Sequence, residues 1–320
     1  MAKPVLFVTR RLPAAIEGLA ARDFDARLTA SDAAIPDLLA RAAGADAILC
    51  CPGDVLDEAA IAALPESVKV LGTFSVGYDH IDLSAAHARG IKICNTPDVL
   101  SVATAECAML LILAAARRAG EGERLVRSGN WQGWAPTQLL GTQVSGRRLG
   151  IFGMGRIGRE LARMAKGFGM EVHYRDMARL PRELEHGAVF HDSDGSFLPL
   201  CEVLSLHAPG GGGTKHWLDI DRIAKLPQGA VVVNAARGSL IDDTALIAAL
   251  RTGHVAAAGL DVYNGEPNLD PAYLSLENVV LLPHLGSATM ETRDAMGQLV
   301  LSGIAAVLEG RTPPNLVEQA

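Results

Sequence analysis

Short apolar runs bounded by turn residues recur along the first third of the chain. They lie at residues 5–8, 47–49, 69–72 and 92–94, and the stretches between them are rich in Ala, Leu, Glu and Arg. Apolar runs of this length are typical of strands, whereas Ala, Leu, Glu and Arg favour helices. The pattern therefore predicts a first series of alternating strands and helices.

A second series of apolar runs begins near the middle of the chain. These runs contain few polar residues and lie at 149–152, 171–174, 203–206, 230–234, 256–260 and 279–282. Uninterrupted apolar strands are typical of a parallel sheet that helices cover on both faces. The chain is therefore predicted to be an α/β protein built from two βα domains.

Two longer helical stretches are placed where they could connect these domains. One runs from about residue 102 to 128, with no glycine before Gly120, and we expect a single helix there. The other, at about 289–309, is expected to cross back to the first domain. We therefore predict a discontinuous domain of residues 1–99 plus 288–320, with a second domain, 100–287, inserted into it.

Composition narrows the classes of partner. A chain of 320 residues with 49% hydrophobic residues fills two cores, and a net charge of -7 without basic blocks argues against nucleic-acid and anionic-membrane surfaces. The five cysteines suggest reduced thiols rather than a disulfide framework or a metal site. With no signal-peptide pattern and no apolar run of membrane-spanning length, we expect a cytoplasmic protein that binds a small molecule.

A glycine-rich turn follows the strand predicted at 149–152. Gly153 would permit the tight turn, Gly155 the approach of a dinucleotide pyrophosphate, and Gly158 the packing of the next helix on the strand. The helix N-terminus would add N–H donors and the positive end of a dipole. The alternative is a strand–helix turn that binds nothing.

The residues after the next strand bear on the choice of cofactor. Asp176 can accept hydrogen bonds from two ribose hydroxyls and would repel a 2′-phosphate, which favours NAD. Arg175 and Arg179 flank it and could instead pair with a 2′-phosphate, so NADP stays open. For both arginines the alternative is a solvated surface charge.

Three further polar residues are predicted at the carboxyl ends of later strands, where open α/β sheets bind ligands. Arg237 could hold a carboxylate in two parallel hydrogen bonds, and His284 could exchange a proton near neutral pH. Glu266 could bond the second nitrogen of His284 and favour the imidazolium form. The alternatives are a surface arginine and a structural His–Glu pair.

Two other features lack an obvious role in such a site. The glycine run 210–213 has no Lys-Ser/Thr after it, so we interpret it as a linker rather than a phosphate loop. Trp131 and Trp134 lie close together in a chain with 4% aromatic residues, and an arm that contacts a second subunit is one interpretation.

Together these residues make the chain resemble the D-isomer-specific 2-hydroxyacid dehydrogenases, and within them the glyoxylate/hydroxypyruvate reductases. The resemblance runs nearly end to end and implies a Rossmann-like dinucleotide-binding domain inserted into a smaller flavodoxin-like substrate domain. It rests on residues 75–82 (SVGYDHID), 95–97 (NTP), 104–106 (TAE), 153–158 (GMGRIG), 234–238 (NAARG), 259–262 (GLDV), 265–267 (GEP) and 284–287 (HLGS).

The resemblance also implies roles for individual residues. Val76 and Gly77 would offer backbone N–H groups to the substrate carboxylate, Arg237 would bind its carboxylate and keto oxygen, and His284 with Glu266 would be the acid/base. Trp134 would reach the active site of the partner in a homodimer. Asp261 would meet the nicotinamide carboxamide. The other residues that would line the cofactor are Thr104, Gly153, Gly155, Arg156, Ile157, Gly158, Arg175, Asp176, Arg179, His207, Ala208, Pro209, Thr214, Ala235, Ala236, Arg237, His284 and Gly286.

The chain departs from the family pattern at two places. Met177 stands where many NADP-using relatives have an arginine, and the glycine run 210–213 replaces a Thr-Pro-Glu-Thr-like stretch. The alternatives within the family are enzymes for bulkier 2-keto acids, phosphoglycerate or formate. The formate enzymes have Gln at the position of Glu266, which argues against that alternative. Outside enzymes, the alternative is an NAD-sensing binding protein similar to the C-terminal-binding-protein corepressors.

Overall fold

The computed structural model describes residues 2–33, 37–211 and 213–318. The chain divides into two compact units, Met1–Leu100 with Ala288–Ala320, and Ser101–Ser287. Each contains a parallel sheet with helices, so the predicted α/β class is confirmed. Gly212, part of the glycine run noted above, lies outside the described residues.

Every strand pairing in the two sheets is parallel among the described residues. The strands are β1 (Val5–Val8), β2 (Asp25–Arg27), β3 (Ala47–Cys50), β4 (Val70–Thr73), β5 (Lys92–Cys94), β6 (Arg148–Phe152), β7 (Glu171–Arg175), β8 (Val189–His191), β9 (Val203–Leu206), β10 (Ala230–Asn234), β11 (Val255–Leu260) and β12 (Val279–Leu281).

The strand orders identify both sheets as doubly wound. The first unit has the order β2-β1-β3-β4-β5, which is that of flavodoxin-like proteins. The second has β12-β11-β10-β9-β6-β7-β8, which contains the Rossmann order with one strand added at the β12 edge. In the second sheet the order reverses between β6 and β9, and ligands of such sheets bind at that point.

Helices cover these sheets. They are α1 (Ala14–Asp23), α2 (Leu38–Arg41), α3 (Glu58–Ala63), α4 (Leu83–Ala88), α5 (Ser101–Ala116), α6 (Ala119–Arg127), α7 (Arg156–Ala165), α8 (Asp194–Phe197), α9 (Ile220–Ile223), α10 (Asp243–Thr252) and α11 (Met290–Leu308). Within the described residues, none of them has the length and apolar content that a membrane crossing requires.

The single helix predicted from about residue 102 to 128 was wrong. The structure breaks it into α5 and α6 at Arg118, which has a left-handed backbone with φ 53°. The break arises because the Thr142 N–H donates to the carbonyl of Ala116 at 2.7 Å, so another segment takes a carbonyl that a continuing helix would use. No spacing in the sequence reveals this competition.

Sequence reasoning also missed two strands, β2 and β8. Each has three residues, lies at the edge of its sheet and is largely exposed or half-buried. Short edge strands bury little apolar surface, and β2 consists of two charged residues around one alanine, so its sequence carries no apolar run. The interior strands β9 and β10, by contrast, are fully buried, as their apolar sequences predict.

Candidate active site

The glycine-rich turn joins β6 to α7 at the point where the strand order reverses. Gly153 has φ 93°, and a Cβ placed on it would lie 2.5 Å from the backbone nitrogen of Ala208. A Cβ on Gly158 would overlap the carbonyl oxygen of Gly153, whereas nothing lies within 4 Å of a Cβ on Gly155. Packing therefore explains the first and third glycines, and the second faces open space next to the N-terminus of α7.

Asp176 lies against this turn. Its Oδ2 accepts a hydrogen bond from the Met154 N–H at 2.7 Å, and its Oδ1 accepts one from the Met177 N–H at 2.7 Å. An ionised carboxylate has about four acceptor positions, so two remain for other donors. The carboxylate is thus held beside the turn with capacity to accept from ribose hydroxyls.

Both arginines that flank Asp176 are engaged with other carboxylates. Arg179 forms two hydrogen bonds with the buried Glu185, at 2.8 and 3.2 Å, and Arg175 lies 3.7 Å from Asp194. The hydrogen bonds from Arg179 hold the pKa of Glu185 below its ordinary value, which keeps this partner ionised. A 2′-phosphate would have to compete with these pairs.

His284 and Glu266 form a hydrogen-bonded pair, with Nδ1 2.8 Å from Oε2. The other carboxylate oxygen of Glu266 accepts from the Tyr263 N–H at 2.9 Å. Burial acts to raise the pKa of Glu266, but the hydrogen bond and charge of His284, the Tyr263 N–H and the charge of Arg237 outweigh it and leave this pKa lowered. Glu266 therefore meets His284 as a carboxylate, and the ring presents Nε2 for other chemistry.

Arg237 is carried by a tightly closed turn after β10. The buried Asn234 donates from Nδ2 to the carbonyl of Arg237 at 2.8 Å and accepts from the Ala236 N–H at 3.0 Å. A Cβ on Gly238 would overlap the backbone of Tyr263, so glycine is required where this turn meets the segment leading to Glu266. Sequence reasoning missed the role of Asn234, although an amide side chain three residues before the arginine was a usable signal.

The remaining predicted cofactor contacts also lie in the second unit. Burial lowers the pKa of His207 to about 4, and its Nε2 lies 2.8 Å from Ser205 Oγ, so this ring is neutral at neutral pH. The hydroxyl of Thr214 donates to the Pro209 carbonyl at 2.7 Å. The cofactor roles stay predictions for Thr104, Arg156, Ile157, His207, Ala208, Pro209, Thr214, Ala235, Ala236, Asp261 and Gly286.

The described part of the glycine run lies close to Arg237. A Cβ on Gly210 would lie 3.3 Å from Arg237 Cγ and 3.6 Å from Ser239 Oγ. The chain therefore passes close to the aliphatic part of the arginine.

Within the described residues no cluster of three or more His, Cys, Asp or Glu side chains could hold a metal ion.

Val76 and Gly77 lie in the first unit, after β4. The Val76 carbonyl accepts from Asn95 Nδ2 at 2.8 Å, and the Gly77 carbonyl accepts from Ser75 Oγ at 2.6 Å. Because N–H and C=O point in opposite directions in a trans peptide, the Gly77 N–H points away from Asn95. Their role as carboxylate donors stays a prediction.

Trp131 and Trp134 lie on an irregular segment between α6 and β6. Trp131 is 51% exposed and Trp134 is 81% exposed. The indole nitrogen of Trp131 donates to Gln138 Oε1 at 3.4 Å. These aromatic side chains are thus presented at the surface of the second unit rather than packed into its core.

Comparison with known proteins identifies relatives along the whole chain. Residues 109–286 match the family model described as D-isomer specific 2-hydroxyacid dehydrogenase, NAD binding domain. A glycerate dehydrogenase of Hyphomicrobium methylovorum is 41% identical over 314 residues, 97% of this chain and 98% of the relative. A glyoxylate reductase of Thermococcus litoralis is 39% identical over 324 residues, 99% of this chain and 97% of the relative.

A solved structure is similar over the same length. It belongs to a Polaromonas protein assigned to the NAD-binding D-isomer specific 2-hydroxyacid dehydrogenases, with a TM-score of 0.94 and 49% identity. The match covers 99% of this chain and 100% of that one.

The unequal surroundings of the turn glycines lead to a prediction about ligand binding. Gly155→Ala should change the free energy of unfolding by no more than about 1 kcal/mol, because its Cβ meets nothing, yet weaken NADH binding about tenfold by blocking the pyrophosphate. Gly153→Ala should destabilise the fold itself by roughly 1–3 kcal/mol. NADH titration and urea unfolding measure the two effects. Unchanged NADH affinity in Gly155→Ala would mean that the turn binds no dinucleotide.

Proposed function

Because the chain belongs to the D-isomer-specific 2-hydroxyacid dehydrogenases, we propose that it reduces small 2-keto acids, such as glyoxylate and hydroxypyruvate, to D-2-hydroxy acids. The observation that carries this proposal is the Glu266–His284 hydrogen bond beside the turn that holds Arg237. Reduction of a 2-keto acid needs a cation that binds the substrate carboxylate. It also needs a proton donor, here one that is paired with a carboxylate of the protein.

A nicotinamide cofactor, held at the glycine turn and by Asp176, would supply the hydride that the keto carbon accepts. His284 gives its Nε2 proton to the keto oxygen as negative charge develops there, and becomes neutral. Glu266 holds the ring through Nδ1, which leaves Nε2 for the transfer. Oxidation of the hydroxy acid uses the same groups in reverse.

In the second unit, we assign binding of the substrate carboxylate to the Arg237 guanidinium. In the first unit, we propose the backbone N–H groups of Val76 and Gly77 as carboxylate donors. Two features support the assignment: Asn234 fixes the backbone of Arg237, and the carbonyls of Val76 and Gly77 are both held by side-chain donors. Ser101–Ser287 would then be the cofactor-binding domain, and Met1–Leu100 with Ala288–Ala320 the substrate-binding domain.

NAD is the proposed cofactor. Asp176 retains acceptor capacity beside the glycine turn, while Arg179 is held in two hydrogen bonds by Glu185 and Arg175 lies near Asp194. At the position between them, Met177 is 99% exposed and offers no charge to a phosphate. NADP would meet a carboxylate and arginines that are already paired.

We also propose a homodimer in the cytoplasm. Four apolar side chains, one in the last turn of α6 and three between α6 and β6, are more than half exposed, and a surface of this kind is typical of a subunit contact. They are Val126, Trp131, Trp134 and Leu140. The unpaired state of all five cysteines supports a reducing compartment.

The activity is tested by assaying glyoxylate, hydroxypyruvate, pyruvate and phenylpyruvate with NADH. Arg237→Lys keeps the charge but loses the planar fork, so kcat/KM for glyoxylate should fall about 10- to 100-fold, the effect of one charged hydrogen bond. Arg251→Lys, on the exposed part of α10, is the matched control and should match the wild type. Absence of turnover with every keto acid would refute the proposed function.

The Glu266–His284 pair leads to a prediction about pH dependence. Pairing with His284 lowers the pKa of Glu266, so a carboxylate lies against the ring that must carry a proton for reduction. Glu266→Gln removes the charge, so the rate of reduction should begin to fall about one pH unit lower than in the wild type. His284→Ala should abolish most turnover and leave NADH binding intact. A superimposable pH profile for Glu266→Gln would show that the pair is only structural.

Cofactor choice is tested by the ratio of kcat/KM for NADH to that for NADPH. The wild type should prefer NADH, and Asp176→Asn combined with Met177→Arg should move the preference towards NADPH by about tenfold or more, because repulsion is removed and a phosphate partner added. Met177→Leu is the control without charge. If the wild type uses NADPH at least as well as NADH, the flanking arginines rather than Asp176 determine the cofactor preference.

Assembly is tested by sedimentation at micromolar concentration, where we expect a dimer. Trp134→Ala should change the ranking of the four keto acids, because this side chain would shape the substrate pocket of the neighbouring subunit. Leu274→Ala, another highly exposed apolar residue of the second unit, is the control and should not change it. A monomer would disprove the arm, and an unchanged ranking in dimeric Trp134→Ala would leave Trp134 with a structural role alone.

A further inference from the structure

Three consecutive backbone N–H groups converge on one buried residue, Asp261. The N–H of His284 donates to the Asp261 carbonyl at 3.0 Å, that of Leu285 to Oδ1 at 2.6 Å, and that of Gly286 to Oδ2 at 2.8 Å. Asp261 itself is fully buried at the end of β11. The side chain and the carbonyl of Asp261 thus attach the turn that carries His284 to the end of β11.

This attachment matters because His284 has an unfavourable backbone conformation. Its φ is 57°, in the left-handed region that residues other than glycine rarely adopt without support. Successive N–H groups in a turn containing a left-handed residue form a concave site for an anion. The carboxylate of Asp261 occupies that position, so it stabilises the conformation that aims the His284 ring.

The surroundings leave the turn little room to move. A Cβ on Gly286 would lie 3.2 Å from Thr104 Cγ2 and 3.4 Å from Asp261 Oδ2. Burial, together with the nearby charge of Asp261, raises the pKa of Cys107 to about 12, so its thiol stays neutral next to the carboxylate. The turn is therefore confined between Asp261 on β11 and Thr104 on α5.

We propose that Asp261 is the positioning residue of His284: its carboxylate holds the left-handed turn that aims the imidazole at the substrate. This inference rests on the proposed function and goes beyond a contact between Asp261 and the nicotinamide carboxamide, which the family resemblance implies. The two roles differ in what they require of the cofactor. A positioning role acts on the protein alone, whereas a carboxamide contact needs an amide on the nicotinamide ring.

Asp261→Asn tests the proposal, because it keeps the shape but places an NH₂ group against one of the backbone donors. With glyoxylate we expect kcat to fall about 100-fold, the effect of a misplaced acid/base, with both NADH and its reduced 3-acetylpyridine analogue, which lacks the amide donor. A loss confined to NADH, or kcat within about threefold of the wild type, would overturn the positioning role. Wild-type protein without turnover would instead refute the proposed function.

A second readout is independent of activity. In the protein without cofactor, hydrogen–deuterium exchange of a peptide covering residues 284–286 should be slow in the wild type and faster in Asp261→Asn. Asp242→Ala, which removes the N-cap of α10, is the control for general destabilisation and should leave exchange at 284–286 unchanged. Unchanged exchange in Asp261→Asn would contradict the proposal.

If Asp261→Asn fails to fold, Gly286→Ala provides the test, since its Cβ would lie 3.2 Å from Thr104 Cγ2 and so displace the turn from its place beside Asp261 without altering any charge. We expect kcat to fall about tenfold and exchange at 284–286 to rise. Gly195→Ala, where a Cβ meets nothing, is its control and should match the wild type. Wild-type kcat and exchange in Gly286→Ala would overturn the proposal.

Discussion

The close approach of three backbone segments, those that follow β10, β11 and β12, is the constraint on which the candidate site depends. Two of them meet where Gly238 contacts the backbone of Tyr263, and any side chain at 238 would separate them. The third is attached to β11 through Asp261. Because the three strands are parallel neighbours, their carboxyl ends share one edge, and Arg237, Glu266 and His284 can be placed together there.

Two buried polar side chains hold these segments in place. Asn234 and Asp261 are fully buried. The amide nitrogen and oxygen of Asn234 bond to the backbone of the turn that bears Arg237, and both carboxylate oxygens of Asp261 bond to the backbone of the turn that bears His284. A buried polar group left without a partner costs about 1–3 kcal/mol, so each turn has one strongly preferred conformation. Rigidity of this kind suits a site in which the acid and the cation must keep a fixed separation.

The sequence predicts those parts of this arrangement that depend on local pattern. Continuous apolar runs locate β6, β9 and β10, and the residues after the strands point to Asp176, Arg237 and His284. Local sequence patterns do not reveal interactions between segments that are distant along the chain. The break at Arg118 depends on Thr142, and the engagement of Arg179 depends on Glu185, whose acidic side chain looks like any other surface charge in the sequence. The orientation of the Gly77 amide likewise depends on Asn95, which the sequence analysis names only as part of a family motif.

The three glycines of the glycine-rich turn do not all argue for a ligand, because two of them are required by the packing of the turn itself. Gly153 and Gly158 are required by the fold, since a Cβ on either would meet backbone atoms, so they would be glycine in a turn that bound nothing. Gly155 meets nothing, and its φ of -70° suits any residue. A glycine that neither packing nor backbone conformation demands, at the N-terminus of a helix, is best explained by a ligand that must come close to the backbone. The part of the motif that the fold leaves unexplained is therefore the part that argues for a dinucleotide.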